Sequence, residues 1–236
     1  MSVFASVGIL ILSMLIAAFT QLSLGVFMLT SHYSYGKFSK KNASYASLFY
    51  ILGAEASNAL VFILIYFALS ALYVAPVEIT NSALTWATAG SMLAIGIIFP
   101  FCYFRKGPGT RLFISRRLAK AFDVKARAIK MRSDAFVLGF ISGLPELIFT
   151  LPVYFVAVLE IMKLGSSPMM RAFLALLFVL AKTAPLLAAY MSVDSGHGIV
   201  AAQKARVKSR EFVRFFVSIS YLMIGALILA FGVYYR

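Results

Sequence analysis

Long apolar runs alternate with short polar and basic linkers along the whole chain. A helix needs about 20 apolar residues to cross a hydrocarbon core of about 30 Å, and six runs reach that length. They cover residues 3–31, 44–74, 82–104, 134–161, 170–193 and 212–235. The runs lack the alternation of barrel strands, and backbone polar groups in lipid must be satisfied within the segment. The pattern therefore predicts an all-α integral membrane protein with six transmembrane helices.

The composition supports this fold class. Hydrophobic residues make up 62% of the 236 residues, whereas about 45–50% is usual for a soluble domain. The runs use nearly all of the chain, so we predict a single polytopic membrane domain over 1–236 without a separate globular domain. The first run has no basic N-terminal region and is too long for a signal-peptide core, which favours a true span.

The basic residues are concentrated in three linkers. The net charge of +14 resembles that of a nucleic-acid-binding protein, but the linkers after the first, third and fifth runs, counted with Arg214 at the start of the sixth run, carry three, ten and five Lys or Arg, eighteen of the 22. By the positive-inside rule these linkers are cytoplasmic, and both termini lie outside an inner membrane. We therefore predict anionic lipids, and no nucleic acid, as partners of the basic linkers.

The cytoplasmic linker 105–133 is the only sizeable segment between runs. It begins with a turn signal at Gly107-Pro108-Gly109, and apolar residues then recur among basic ones. The apolar positions are Ile114, Leu118, Phe122 and Ile129. This pattern is typical of a basic amphipathic helix lying on the inner leaflet, with a solvated basic loop as the alternative.

Three ionisable side chains, Glu55, Glu146 and Lys182, lie inside apolar runs, the last two close to the middle. A charge at the bilayer centre costs about 2.5–3.5 kcal/mol on insertion scales, so each of them must face a partner, a cavity or a path. These three residues are the predicted substrate- or ion-binding site.

A three-plus-three inverted repeat, residues 1–104 and 134–236, is a possible internal organisation. The segment Ala18-Phe19-Thr20-Gln21-Leu22 weakly resembles Gly139-Phe140-Ile141-Ser142-Gly143, and the Glu55 segment resembles the Lys182 segment. In such a repeat Glu55 and Lys182 are equivalent and meet near the midplane. Glu146 is then the unbalanced carboxylate, which a proton, a metal cation or a substrate amino group would neutralise.

Helix breakers and polar residues accompany these charges. Pro145, Pro152 and Pro185 are predicted hinges, because proline within a span frees backbone carbonyls, as in the broken helices of transporters. Ordinary proline kinks are the alternative. Gln21, Asn58 and Thr183 are predicted to complete the substrate- or ion-binding site, although the same residues could form interhelical hydrogen bonds.

Other classes of function receive less support from the sequence. The single cysteine, Cys102, excludes a dithiol electron carrier within one chain. His32, His197 and Asp194 could hold a metal in an intramembrane metalloenzyme, but their spacing matches no recognised ligand pattern. A retinal Schiff base on Lys182 conflicts with a count of six spans. We expect no enzyme activity and no cofactor. A non-transporting structural subunit, in which Glu55 and Lys182 form a static ion pair, and a homo-oligomer both remain alternatives.

Six spans, a basic loop after the third span and a possible inverted repeat resemble the lysine exporter (LysE) superfamily. The resemblance covers the whole chain but is one of architecture. The chain lacks the cysteine pair of the CcdA-type members and the acidic motif of the TerC-type members, so no functional residue is transferred. The resemblance implies export of a small solute or ion from the cytoplasm.

Overall fold

A computed structural model of the chain describes residues 3–21, 27, 40–73, 78–102, 116–194 and 208–234, and this described part is helical without strands. Eight α-helices follow one another, with a short 3-10 turn, Leu144–Glu146, between the fifth and the sixth. They are α1 (Val3–Phe19), α2 (Lys40–Tyr73), α3 (Glu78–Cys102), α4 (Arg116–Ala128), α5 (Arg132–Gly143), α6 (Leu147–Leu164), α7 (Pro168–Asp194) and α8 (Arg210–Tyr234).

The all-α fold class is confirmed for the described residues, and three helices are long and apolar enough to cross a membrane. The qualifying segments are Lys41–Ala71 in α2, Pro168–Met191 in α7 and Glu211–Phe231 in α8. The bent pair α5 and α6 makes a fourth candidate if it counts as one span. Val3–Phe19 and Thr85–Phe101 are shorter apolar helices.

The first apolar run differs from its prediction. A single span was predicted over residues 3–31, but α1 ends at Phe19, and Thr20 and Gln21 follow as a turn. The Thr20 hydroxyl and its backbone N–H both donate to the carbonyl oxygen of Ile16, at 2.7 and 2.9 Å. The backbone bond has the regular spacing of an α-helix, so the helical hydrogen bonding of α1 extends to Thr20 before the chain leaves the helix at Gln21.

The starts of α5 and α7 follow local chemistry. Asp134 accepts hydrogen bonds from the backbone N–H groups of Lys130 and Met131 at the start of α5. Pro168 occupies the first position of α7, where its missing N–H costs nothing, and Ser167 caps the first turn by accepting from the backbone of Met170. These contacts fix where α5 and the Lys182-bearing helix α7 begin.

Two tight helix pairs organise the bundle, α2 with α5 and α3 with α8. At the first crossing, a Cβ added to Gly53 would overlap the carbonyl oxygen of Phe136, and one added to Gly139 would overlap that of Tyr50. At the second, Gly96 and Gly225 face leucine side chains of the partner helix. Gly96 and Gly225 therefore serve packing within the chain.

We expect Gly139→Val to lower the free energy of unfolding by about 2 kcal/mol or more, because a backbone carbonyl cannot move aside as a flexible side chain can. Thermal unfolding of the purified protein in detergent measures the loss. Gly90→Val is the matched control, since a Cβ at Gly90 meets no atom within 4 Å. An equal loss at both glycines would contradict this account of the α2–α5 crossing.

Helix α4 confirms the helical pattern of the basic linker but packs on protein. Phe122 and Ile129 are buried in one apolar cluster with Tyr50 of α2 and Leu186 of α7. The basic side chains of Lys120 and Lys125 point outward and are exposed. The side chains of Ile114 and Leu118 lie outside the described residues. The apolar stripe therefore packs on α2 and α7, and the contact of its basic face with anionic lipid stays a prediction.

Candidate functional site

The predicted site forms around a break in the fourth apolar run. The chain leaves α5 at Gly143, makes one 3-10 turn with Pro145 near its start, and re-enters a helix at Leu147. The segment Arg132–Glu146, which includes this turn, and the segment Thr150–Leu164 are bent by 85° relative to each other. Proline favours such a break because it removes a backbone hydrogen bond. Pro145 is therefore at a real interruption, whereas Pro152 and Pro185 lie within continuous helices.

Glu146, the last residue of the 3-10 turn, forms an ion pair with Lys182 of α7. Glu146 Oε2 and Lys182 Nζ are 3.2 Å apart, and the two residues are 0% and 1% exposed. The ring of Tyr154 lies beside the ammonium group, with Nζ 5.4 Å from the ring centroid, close enough for a cation–π interaction. A buried pair of this kind needs both members, because removing one strands the other in a low-dielectric site.

The predicted pairing of Lys182 with Glu55 is wrong for this structure. Lys182 lies within ion-pair distance of Glu146, and Glu55 instead accepts a hydrogen bond from Gln21 Nε2 at 3.3 Å. The physical reason is the break in the fourth apolar run, which places Glu146, the last residue of the 3-10 turn, beside Lys182 of α7. Glu146 is consequently not the unbalanced carboxylate, and the uncompensated negative charge belongs to Glu55.

The neutral residues that were predicted for the site lie around Glu55. Asn58 and Thr183 both interact with its carboxylate. Asn58 also accepts a hydrogen bond from Tyr154 Oη at 3.2 Å, and the Thr183 hydroxyl donates to the carbonyl of Val179 at 2.7 Å. Tyr154 thus connects the two halves of the cluster, because it contacts both Asn58 and Lys182.

Glu55, Gln21, Asn58, Thr183, Glu146 and Lys182 therefore come together in one polar cluster inside the apolar bundle. Two carboxylates face one ammonium group, and both carboxylates are close enough to interact with it. If all three side chains are charged, the cluster carries one net negative charge. An uncompensated charge among apolar helices requires a ligand or a proton.

Sequence reasoning missed two residues. Tyr154 follows Glu146 and Thr150 at a spacing of four, a helical face that could have revealed it. Glu160 is 2% exposed and pairs with the half-exposed Lys163 at 2.8 Å, near the end of α6. Glu160 belongs to a separate pair because its cation lies on the same helix.

The metal-site alternative gains no support from the described part of the chain, which contains no group of three His, Cys, Asp or Glu residues arranged to hold a metal. His32, His197 and the side chains of Asp194 and Cys102 lie outside the described residues. The metalloenzyme therefore stays an untested prediction.

Comparison of the chain with protein-family models, with curated proteins and with solved structures gives no match. The resemblance to the lysine exporter superfamily stays a prediction. The functional argument consequently rests on the polar cluster itself.

Proposed function

We propose that the protein is a membrane transporter of a small solute or ion, whose substrate or coupling ion binds at the polar cluster. The observation that carries the proposal is the buried Glu146–Lys182 pair beside a broken helix, together with the half-buried carboxylate of Glu55 in the same cluster. Ionisable residues at such positions are expensive and are retained where they serve a path or a site. Broken helices near the midplane are a common way of building a transporter's site.

The membrane topology that goes with this proposal has six spans, formed by α1, α2, α3, the α5–α6 pair, α7 and α8. Each of the six apolar runs contains one of these helices, and large apolar side chains such as Phe67, Phe101 and Phe173 point outward where lipid would cover them. With the basic linkers inside, both termini are outside the cytoplasm.

The inverted repeat is part of the same proposal and draws support from two comparisons. First, in such a repeat α1, α2 and α3 correspond to the α5–α6 pair, α7 and α8. The contact of α2 with α5 then corresponds to the contact of α7 with α1, and both are present. The contact of α1 with α8 corresponds to the contact of α6 with α3, and both of these are present as well. Second, Gln21 follows the end of α1 and contacts Glu55 of the next span, as Glu146 follows the end of α5 and contacts Lys182. The two polar pairs are then equivalent.

A non-transporting structural subunit is the second candidate, and one observation favours it. Glu146 and Lys182 are completely buried and satisfy each other's charge, as a static pair that joins α6 to α7 would. The two candidates are distinguished by a variant that lacks this ion pair but still folds, because only a transporter would lose transport activity in it.

The double variant Glu146→Gln with Lys182→Met tests the proposal, because it removes both charges together and leaves neither stranded. In proteoliposomes we expect wild-type protein to move at least one probe above the rate of empty vesicles, and the double variant to fall to background. Suitable probes are proton flux reported by an enclosed dye, labelled Na⁺ and Rb⁺, and a panel of labelled organic solutes. Size-exclusion chromatography and thermal unfolding confirm that both proteins are folded. A folded double variant with wild-type transport, or wild-type protein without any flux, would favour the structural candidate.

A further inference from the structure

Glu55 differs from the other two ionisable residues of the cluster in charge compensation and in access. Glu146 and Lys182 are buried against each other, whereas Glu55 is partly exposed. No cationic group of the described residues lies within 4 Å of the Glu55 carboxylate. The uncompensated charge therefore resides on Glu55, the least buried of the three ionisable residues.

The carboxylate of Glu55 contains an oxygen atom without a regular hydrogen bond. Its Oε2 is buried and accepts no hydrogen bond of regular geometry from the described residues, although Asn58 and Thr183 lie close enough to interact with the carboxylate. Asn58 is itself only 3% exposed. Buried polar atoms are normally hydrogen-bonded, and an exception at a binding site points to a missing ligand, water or ion.

The charge of the cluster selects the ligand class. One uncompensated carboxylate is neutralised by one positive charge. A divalent ion would instead leave one net positive charge in an apolar bundle. Transition metals are further disfavoured because the described residues offer no group of three His, Cys, Asp or Glu. A singly charged cation needs only the carboxylate and neutral oxygens, which Asn58 and Thr183 can supply.

The proposed repeat leads to the same ligand. The Gln21–Glu55 pair of the first half corresponds to the Glu146–Lys182 pair of the second half. The second pair contains its own cation, the lysine ammonium group, while the first pair combines a carboxylate with a neutral amide. The first half is thus the one that is left to take a cation from solution.

We propose that Glu55 binds a monovalent cation, either a proton or an alkali metal ion, with Asn58 and Thr183 as neutral ligands. The inference deepens the proposed transport function and rests on it, since the cation is then the substrate or the coupling ion. The titratable groups that act on Glu55 are Lys182 of α7, Glu146 of the 3-10 turn and Tyr154 of α6. A bound cation brings the cluster to neutrality.

Thermal unfolding of the full chain in detergent tests binding without any transport. At pH 8 and constant ionic strength, replacing choline chloride by NaCl or KCl is expected to raise the melting temperature by about 5 °C if a metal ion binds, because a ligand at 100 times its Kd stabilises the native state. If the cation is a proton, the melting temperature instead rises by a similar amount between pH 8 and pH 6 in choline chloride.

Glu55→Gln should lose either response and unfold near the temperature of the cation-loaded wild type, because a neutral amide replaces a neutralised carboxylate. Glu160→Gln, which removes the separately paired carboxylate, should keep the wild-type response. If Glu55→Gln fails to fold, Glu55→Asp must raise the half-saturating cation concentration, or shift the pH midpoint, by about tenfold. A response retained in Glu55→Gln or absent from the wild type overturns the inference. Glu55-dependent binding combined with wild-type vesicles that show no flux supports the site and overturns the transport function.

Discussion

Replacing Lys182 by Met is expected to cause the largest loss of stability of any single substitution in the cluster, about 3–5 kcal/mol. The substitution keeps most of the side-chain volume but leaves Glu146 and Glu55 as two carboxylates without a cation. Glu146 is 0% exposed, so water cannot take over the role of the ammonium group. Thermal unfolding in detergent should show a decrease of about 10 °C or more in the melting temperature.

Glu146→Gln should cost less than Lys182→Met, because Lys182 can still interact with the remaining carboxylate, Glu55. The double variant Glu146→Gln with Lys182→Met should recover most of the stability that Lys182→Met loses. The coupling energy in a double-mutant cycle is then about 2–3 kcal/mol. Arg127→Met, in the exposed pair with Asp123, is the control for losing a cation from an ion pair and should change stability by less than about 1 kcal/mol. Additive single losses would show that Lys182 and Glu146 do not depend on each other.

The limits of the apolar runs in the sequence predicted the bounds of the long helices closely. The predicted spans 170–193 and 212–235 correspond to α7, Pro168–Asp194, and α8, Arg210–Tyr234. Long apolar runs between charged linkers contain enough information for this, because the cost of placing charges in lipid fixes where a span must stop. Helix α1 was predicted less well, since Phe19 lies within an apolar run whose hydropathy does not mark the end of a helix.

The members of the polar cluster could also be predicted, but the ion pair within it could not. Each ionisable residue in an apolar run is anomalous by itself, so Glu55, Glu146 and Lys182 were identifiable from the sequence. Which carboxylate meets Lys182 depends on the 85° bend that follows Glu146. Pro145 indicates that a break occurs, yet the direction of the re-entering helix is set by packing of α5 on α2 and of α6 on α1.

The register of the proposed repeat shows the same limit. Sequence similarity aligned Phe19 with Phe140, whereas the polar contacts align Gln21 with Glu146, four residues further along the second half. Apolar side chains are interchangeable in a membrane span, so they carry little information about register. The polar residues at the two breaks carry more, but their equivalence becomes visible only once the contacts are known.

The second large effect is expected in transport, where Glu55→Gln should reduce flux of the coupled or carried cation at least about 100-fold, equivalent to about 3 kcal/mol of lost binding. The reason is that an amide cannot neutralise a cation, whereas the fold tolerates the substitution because Glu55 has no ion-pair partner to strand among the described residues. Proteoliposomes with an enclosed pH dye, or loaded with labelled Na⁺, measure the flux directly. Glu160→Gln should remain within about twofold of the wild type, since its carboxylate belongs to a separate pair.

Two results of this experiment would locate the cation in the transport cycle. If the cation is only the coupling ion, Glu55→Gln loses gradient-driven uptake but still exchanges labelled for unlabelled solute across the membrane. If the cation is the substrate itself, both net flux and exchange disappear. A Glu55→Gln protein with unchanged flux would return the functional role to the Glu146–Lys182 pair, because that pair would then be the remaining charged group able to change partners during a cycle.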